Sequence, residues 1–210
     1  MTIAADGTAL IVIDVQNDFC PGGALAVGGG DEVVPVVNRL IETASHVVLT
    51  QDWHPAGHSS FASSHAGAAP FSTTTMPYGP QTLWPDHCIQ ATSGAEFHSG
   101  LAWTKAELVV RKGFRKAIDS YSAFFENDRT TPTGLAGYLR ERGLTRLVMC
   151  GLATDFCVAY SALDAARLGF SVSVLMDACR AIDLNGSLAE AEKQMRAAGV
   201  SLTRTEAMAG

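Results

Sequence analysis

Charge is sparse in this sequence. Only 17% of its 210 residues are Asp, Glu, Lys or Arg, and 15 basic residues stand against 21 acidic ones. A formal net charge of -6 leaves no Lys/Arg stripe to displace counterions from a phosphate backbone, so no nucleic-acid partner is expected. Long apolar runs are missing too. The longest, such as ALIVI at Ala9 to Ile13, fall far short of the roughly 20 residues a membrane helix needs, which argues against a membrane partner. The start, MTIAADGTALIVIDVQND, has no basic segment leading into a long apolar one, so it does not read as a signal peptide and the expected location is cytoplasmic. No C-x-x-C pair occurs among the five cysteines, Cys20, Cys88, Cys150, Cys157 and Cys179, and an odd set in a reducing compartment suggests free thiols. Repeats and linkers are also absent. The length suits one well-buried core and is short for two, so residues 1–210 are expected to form a single domain.

What is present is apolar: hydrophobic residues make up 47% of the chain. Runs rich in Val, Ile and Leu begin at Thr8, His46, Glu107, Leu144, Ser171 and Gly199, and several continue without alternation, as strands covered on both faces do. Helical spacing lies between them. DEVVPVVNRLIETA from Asp31 tolerates Pro35 in its first turn, and TPTGLAGYLRERG reads as a helix with Thr131 as N-cap, Pro132 at the first helical position and a stop at Gly143. Further helices are expected over 154–168 and 186–198. Alternation of this kind predicts an α/β fold, a three-layer, doubly wound, six-stranded and mainly parallel sheet with helices on both faces. One stretch, about 55–100, breaks the rhythm. It is rich in His, Ser, Thr, Pro and Gly, yet Phe61, Phe71, Tyr78, Leu83 and Trp84 favour an ordered loop over a disordered one.

In an open parallel sheet, ligands bind beyond the carboxyl ends of the strands. Asp14 falls at the end of the first strand, Asp52 and His54 at the end of the second, Lys112 at the end of the next, and Cys157 just past the strand ending near Cys150. Four strands thus deliver ionisable groups to one rim. With Thr154 as N-cap, Cys157 is the third helical residue, inside the turn whose N–H groups lack helical partners. Those dipoles and a nearby Lys112 would favour the thiolate, Asp14 could accept the proton, and the N–H groups could hold an oxyanion. Each residue alone also has a bland reading, as turn cap, surface charge or core filler.

A second constellation joins DWHPAGH, Asp52 to His58, with WPDHC, Trp84 to Cys88. Asp52 and His54 at a strand end can close on one cation. His87 is the better third ligand, because Pro85 stiffens its approach and Trp84 anchors it, whereas His58 reads equally well as a loop histidine bonded to backbone. Two histidines and a carboxylate suit one divalent ion, Zn²⁺ or Fe²⁺, and geometry rather than sequence decides between them. Phe19 follows the Asp14 strand closely enough to line the same pocket. VGGGDE at Val27 to Glu32 lacks the spacing of a phosphate loop and reads as a turn, and Cys20, Cys88 and Cys179 read as spectators.

In this order, VIDVQNDFCPGG, TQDWHP, WPDHC, VVRKG and CGLATDFCV resemble the isochorismatase-like cysteine hydrolases and, through the D-x-H plus later His pattern, their metal-dependent nicotinamidase branch. The match spans nearly the whole chain. The resemblance implies hydrolysis of nicotinamide to nicotinate and ammonia through a cysteine thioester, in salvage of NAD, with pyrazinamide as a further substrate. It implies Asp14, Lys112 and Cys157 as catalytic residues, Asp52, His54 and His87 as metal ligands, and Phe19 and Trp84 as ring-binding residues. It also implies a non-proline cis peptide at Leu152–Ala153 and an oxyanion hole formed by the Ala153 and Cys157 N–H groups. Some relatives use a histidine matching His58 as a further ligand. Relatives include monomers and dimers, which leaves a homodimer open. The rivals are a related amidohydrolase acting on another small amide or N-carbamoyl compound, and a ligand-binding module without catalysis.

Overall fold

The computed structural model describes residues 3–208. Its strands are β1 (Thr8–Ile13), β2 (Val47–Asp52), β3 (Thr73–Met76), β4 (Gly79–Thr82), β5 (Leu108–Lys112), β6 (Arg146–Leu152), β7 (Ser171–Arg180) and β8 (Ser201–Thr203). Its α-helices are α1 (Val33–Thr43), α2 (Leu135–Glu141), α3 (Ala159–Arg167) and α4 (Ser187–Ala197). All six expected apolar runs enter one sheet, in the order β5-β2-β1-β6-β7-β8, and every neighbouring pair is parallel. Every residue of β1 and β2 is buried. That is why their sequences run on without alternation: strands with both faces covered have no solvent side on which to place a polar residue.

Right-handed crossovers fix where the helices lie. The β1-α1-β2 connection moves toward one edge of the sheet, whereas β6-α3-β7 and β7-α4-β8 move toward the other, so α1 covers one face and α3 and α4 the opposite one. The direction reverses between β1 and β6, and at such a reversal the connections splay apart and leave a crevice beyond the carboxyl ends. The two strands run in register from Thr8↔Arg146 to Ile13↔Gly151. Gly151 has a φ of 118°, and a Cβ there would stand 2.0 Å from the Ile13 carbonyl oxygen. Only glycine lets the two backbones approach this closely.

The structure corrects two helix starts. α2 begins at Leu135 behind Gly134, not at Pro132. Thr131 gives its N–H and hydroxyl to Asp128, at 2.9 and 2.6 Å, and Phe125 bridges to Pro132, so this stretch is extended. Thr133 Oγ1 instead accepts the Leu135 N–H at 3.2 Å. The second correction, at Thr154, falls in the site. The 55–100 stretch is ordered, as its aromatics suggested: Phe61, Leu83 and Trp84 are buried, although Phe71 is 44% exposed. It contains an antiparallel hairpin of β3 and β4, in register from Thr73↔Thr82 to Met76↔Gly79. Its short polar strands and Pro80 gave no strand signal.

Candidate active site

At the switch between β1 and β6, Asp14 leaves β1 with a φ of 47° and is completely buried. Its Oδ1 accepts the Thr50 hydroxyl at 2.6 Å, and the Asp14 N–H points back to Thr50 Oγ1 at 3.2 Å. Lys112, at the end of β5, is 1% exposed and reaches into the centre from beyond β2. Its ammonium is within hydrogen-bond reach of Asp52 Oδ1, the Ser120 carbonyl (3.1 Å) and Cys157 Sγ (3.3 Å). Asp14 Oδ2 lies 2.7 Å from the same nitrogen, the distance of a charge-assisted hydrogen bond. A carboxylate oxygen has two lone pairs, so the Asp14 carboxylate can also face the thiol, and polar atoms of Asp14, Asp52 and Cys157 all lie within 4.8 Å of one another.

Burial sets the protonation states. It pushes the Asp14 carboxyl up to about 6, opposed by Lys112 and reinforced by Asp52. Burial also works against the Lys112 charge, but Asp14 and Asp52 outweigh it and hold the ammonium well above its ordinary range. Cys157 goes the other way from expectation. Burial drives its thiol well above the ordinary value, Lys112 opposes this, and the two carboxylates add to it. Burial thus works against the thiolate that the helix dipoles and Lys112 were expected to favour, and the Asp14 carboxylate stands close enough to the sulfur to accept its proton.

Thr154 does not cap the helix that carries Cys157. The N-cap is Ala153, with extended backbone and no side-chain cap, and residues Thr154–Val158 form a single π-helical turn before α3. The Ala153 carbonyl accepts from Phe156 at 3.2 Å and from Val158, five residues on, at 3.1 Å. Both neighbours of the Cys157 N–H thus use that carbonyl while the Cys157 N–H does not. π-turns of this kind recur at functional sites, where they re-aim a side chain and free a donor. The Leu152–Ala153 peptide is cis.

Beside this centre, Asp52 Oδ2 lies 3.7 Å from His54 Nε2 and 3.9 Å from His87 Nε2. These distances are too long for hydrogen bonds, yet two ligands each about 2.1 Å from one ion can stand up to about 4.2 Å apart. The outer ring nitrogens carry the protons: His54 Nδ1 donates to the Gly113 carbonyl at 2.9 Å and His87 Nδ1 to the Pro85 carbonyl at 2.8 Å. Both Nε2 atoms face Asp52, the arrangement that backbone acceptors at Nδ1 impose on metal-ligating imidazoles; burial works against a charge on His54, but Asp52 outweighs it and raises that ring above its ordinary value. Burial also lowers His87 to about 4, which keeps the ring neutral. Gly113, at φ +67°, makes room for His54, since a Cβ would stand 2.3 Å from the ring. The donor set fits a divalent ion. His58 packs against His54 with centroids 4.4 Å apart and the rings tilted by 39°, and His54, His58 and Asp119 form a second cluster of possible donors, but the His58 Nδ1 meets Ser60 Oγ at 2.7 Å and its Nε2 meets the Arg115 carbonyl at 3.0 Å. Both its nitrogens are engaged elsewhere.

Phe19, Trp84, His87, Ala153 and Cys157 border one pocket. Tyr121, Phe156 and Asp119 also line it, and sequence reading missed all three. Tyr121 Oη accepts Trp84 Nε1–H at 3.0 Å and Gln81 Nε2–H at 2.9 Å, which fixes the indole, and Phe156 meets Trp84 edge-on at 4.8 Å. The 113–134 segment has no period to expose Tyr121, whereas Phe156, one residue before Cys157, was within reach of a positional argument. Gln16 was missed as well. Its amide clamps the Asp52 backbone, accepting the N–H at 2.8 Å and donating to the carbonyl at 2.9 Å.

The chain matches the isochorismatase domain over residues 8–207. It is 56% identical to the nicotinamidase of Acinetobacter baylyi over 196 residues, covering 93% of this chain and 92% of that protein. A solved nicotinamidase/pyrazinamidase from Acinetobacter baumanii superposes with a TM-score of 0.96 at 52% identity, covering 97% of this chain and 99% of that one. A pyrazinamidase from Pyrococcus horikoshii, solved in complex with zinc, superposes with a TM-score of 0.76 at 37% identity, covering 94% and 99%. With an acid, an ammonium and a thiol gathered at its sheet reversal and a family match over almost its full length, the chain belongs to the isochorismatase family.

Proposed function

We propose that the protein is a cysteine amidohydrolase that converts nicotinamide to nicotinate and ammonia and also accepts pyrazinamide. The observation that carries this reading is the meeting of Lys112 Nζ with Asp14 Oδ2 at 2.7 Å and Cys157 Sγ at 3.3 Å. The substrate is taken from relatives named nicotinamidase, 56% identical in one case.

Phe19 and Trp84 flank the pyridine ring and bring the carboxamide over the sulfur. Asp14 takes the Cys157 proton as the sulfur attacks the amide carbon, and Lys112 stays charged beside both. The Ala153 and Cys157 N–H groups receive the developing oxyanion, an interaction that typically contributes several kcal/mol, about 3 for one donor. Asp14 then gives its proton to the departing ammonia. A water, deprotonated by the same carboxylate, opens the thioester to release nicotinate and restore the thiol. Asp52, His54 and His87 would hold a divalent ion, Zn²⁺ ahead of Fe²⁺ or Mn²⁺, whose Lewis acidity would orient the ring through its nitrogen.

The test is ammonia release from nicotinamide. Cys157→Ala is expected to lose about 1,000-fold or more in kcat with its fold intact, and chelation of wild-type protein to weaken turnover. Normal release by Cys157→Ala would overturn the assignment, and undiminished release after exhaustive chelation would remove the metal from it.

A further inference from the structure

Asp52 is shared between two cationic sites. One oxygen, Oδ1, receives a hydrogen bond from the Lys112 ammonium, while the other, Oδ2, faces the Nε2 atoms of His54 and His87 at 3.7 and 3.9 Å. Lys112 and Asp52 are both at least 95% buried, so water screens little of their interaction. Lys112 has a second carboxylate at 2.7 Å, Asp14, so the ammonium can shift its weight from one acid to the other without moving far.

We propose that Asp52 couples metal binding to the nucleophile: Lys112 and a divalent ion compete for its charge, and an ion on Oδ2 presses the ammonium toward Asp14 and Cys157. The coupling rests on the metal reading above and extends it. Coupling between two sites is reciprocal, so whatever the ion does to Lys112, Lys112 does to the ion's affinity. Metal affinity thus reports on groups that do not ligate the metal. Removing the Lys112 charge takes away a competitor and a like charge. Neutralising Asp14 makes Lys112 lean on Asp52 alone and removes a nearby negative charge. The two changes act in opposite directions.

The experiment is Zn²⁺ affinity, measured by competition with a chromogenic chelator at neutral pH, for wild type, Lys112→Met, Asp14→Asn and His87→Ala, each checked for folding by circular dichroism. Lys112→Met is expected to bind Zn²⁺ about tenfold more tightly than wild type, and Asp14→Asn more weakly by a similar factor. Equal affinity in wild type and both variants, or weaker binding by folded Lys112→Met, would overturn the coupling while leaving the metal site standing. If Lys112→Met does not fold, Asp14→Asn decides alone, and unchanged affinity there overturns it. Wild type binding no better than His87→Ala would overturn the metal site itself and the coupling with it.

Discussion

Asp14 is a carboxyl that burial has moved to about 6, and this sets a pH window for the whole site. As the proposed general base it must be ionised in the free enzyme, so kcat/KM for nicotinamide is expected to fall about tenfold per unit as the pH drops below about 6. A pH–rate profile checks this, and a profile flat down to pH ~4.5 would take the base away from Asp14. The same displacement acts on stability with the opposite sense. A carboxyl raised from 3.8 stabilises the fold fully below its unfolded value, and that contribution is lost as the pH rises through about 6. Lys112 compensates in part, since its ammonium stays charged across this range. Asp14, Lys112, Asp52 and His54 were readable because each ends a strand, and strand ends in a parallel sheet share one rim. The state of the Cys157 thiol was not readable, because it depends on how completely two acids and an ammonium are buried around it.

Elements decide how close those residues come. β1 and β6 can touch where they do because Gly151 has no side chain, and a Cβ would press 2.0 Å from the Ile13 carbonyl oxygen. Gly151→Ala is expected to destabilise the fold by about 3 kcal/mol or more, through the clash and the positive φ, and to depress soluble yield. Urea unfolding measures it, and a loss under about 1 kcal/mol would mean that the strands part easily at this point. The apolar runs made the six strands of the main sheet legible, since short runs of Val, Ile and Leu separated by helical spacing read as the strands of a parallel sheet. Local competition hid the helix starts. Thr131 looked like a cap, but Asp128 three residues earlier captures both of its donors. The turn at Thr154–Val158 was hidden because a five-residue hydrogen bond leaves no mark on apolar spacing. The β3–β4 hairpin was hidden by its own polarity.

Across the whole molecule, all five cysteines are free and buried. Burial raises Cys179 to about 12 and holds Cys88 and Cys150 well above the thiol range, so these three are expected to stay silent toward a thiol reagent until the chain unfolds. Titration with a chromogenic disulfide reagent should count all five in denaturant without added reductant. A lower count would reveal a disulfide the fold does not hold. Among the described residues no helix is long and apolar enough to cross a membrane.

The sheet order has a consequence for biosynthesis. β1 pairs with β6, and Thr8 meets Arg146 across 138 residues of chain. A ribosome must therefore deliver most of the polypeptide before the acid near its beginning can face the sulfur, and pairing over such a span is slow compared with local helix formation. Fragments ending before β6 carry the acid and the ammonium without the sulfur, so the three groups can meet only late, once the central strand and the turn after it have been made.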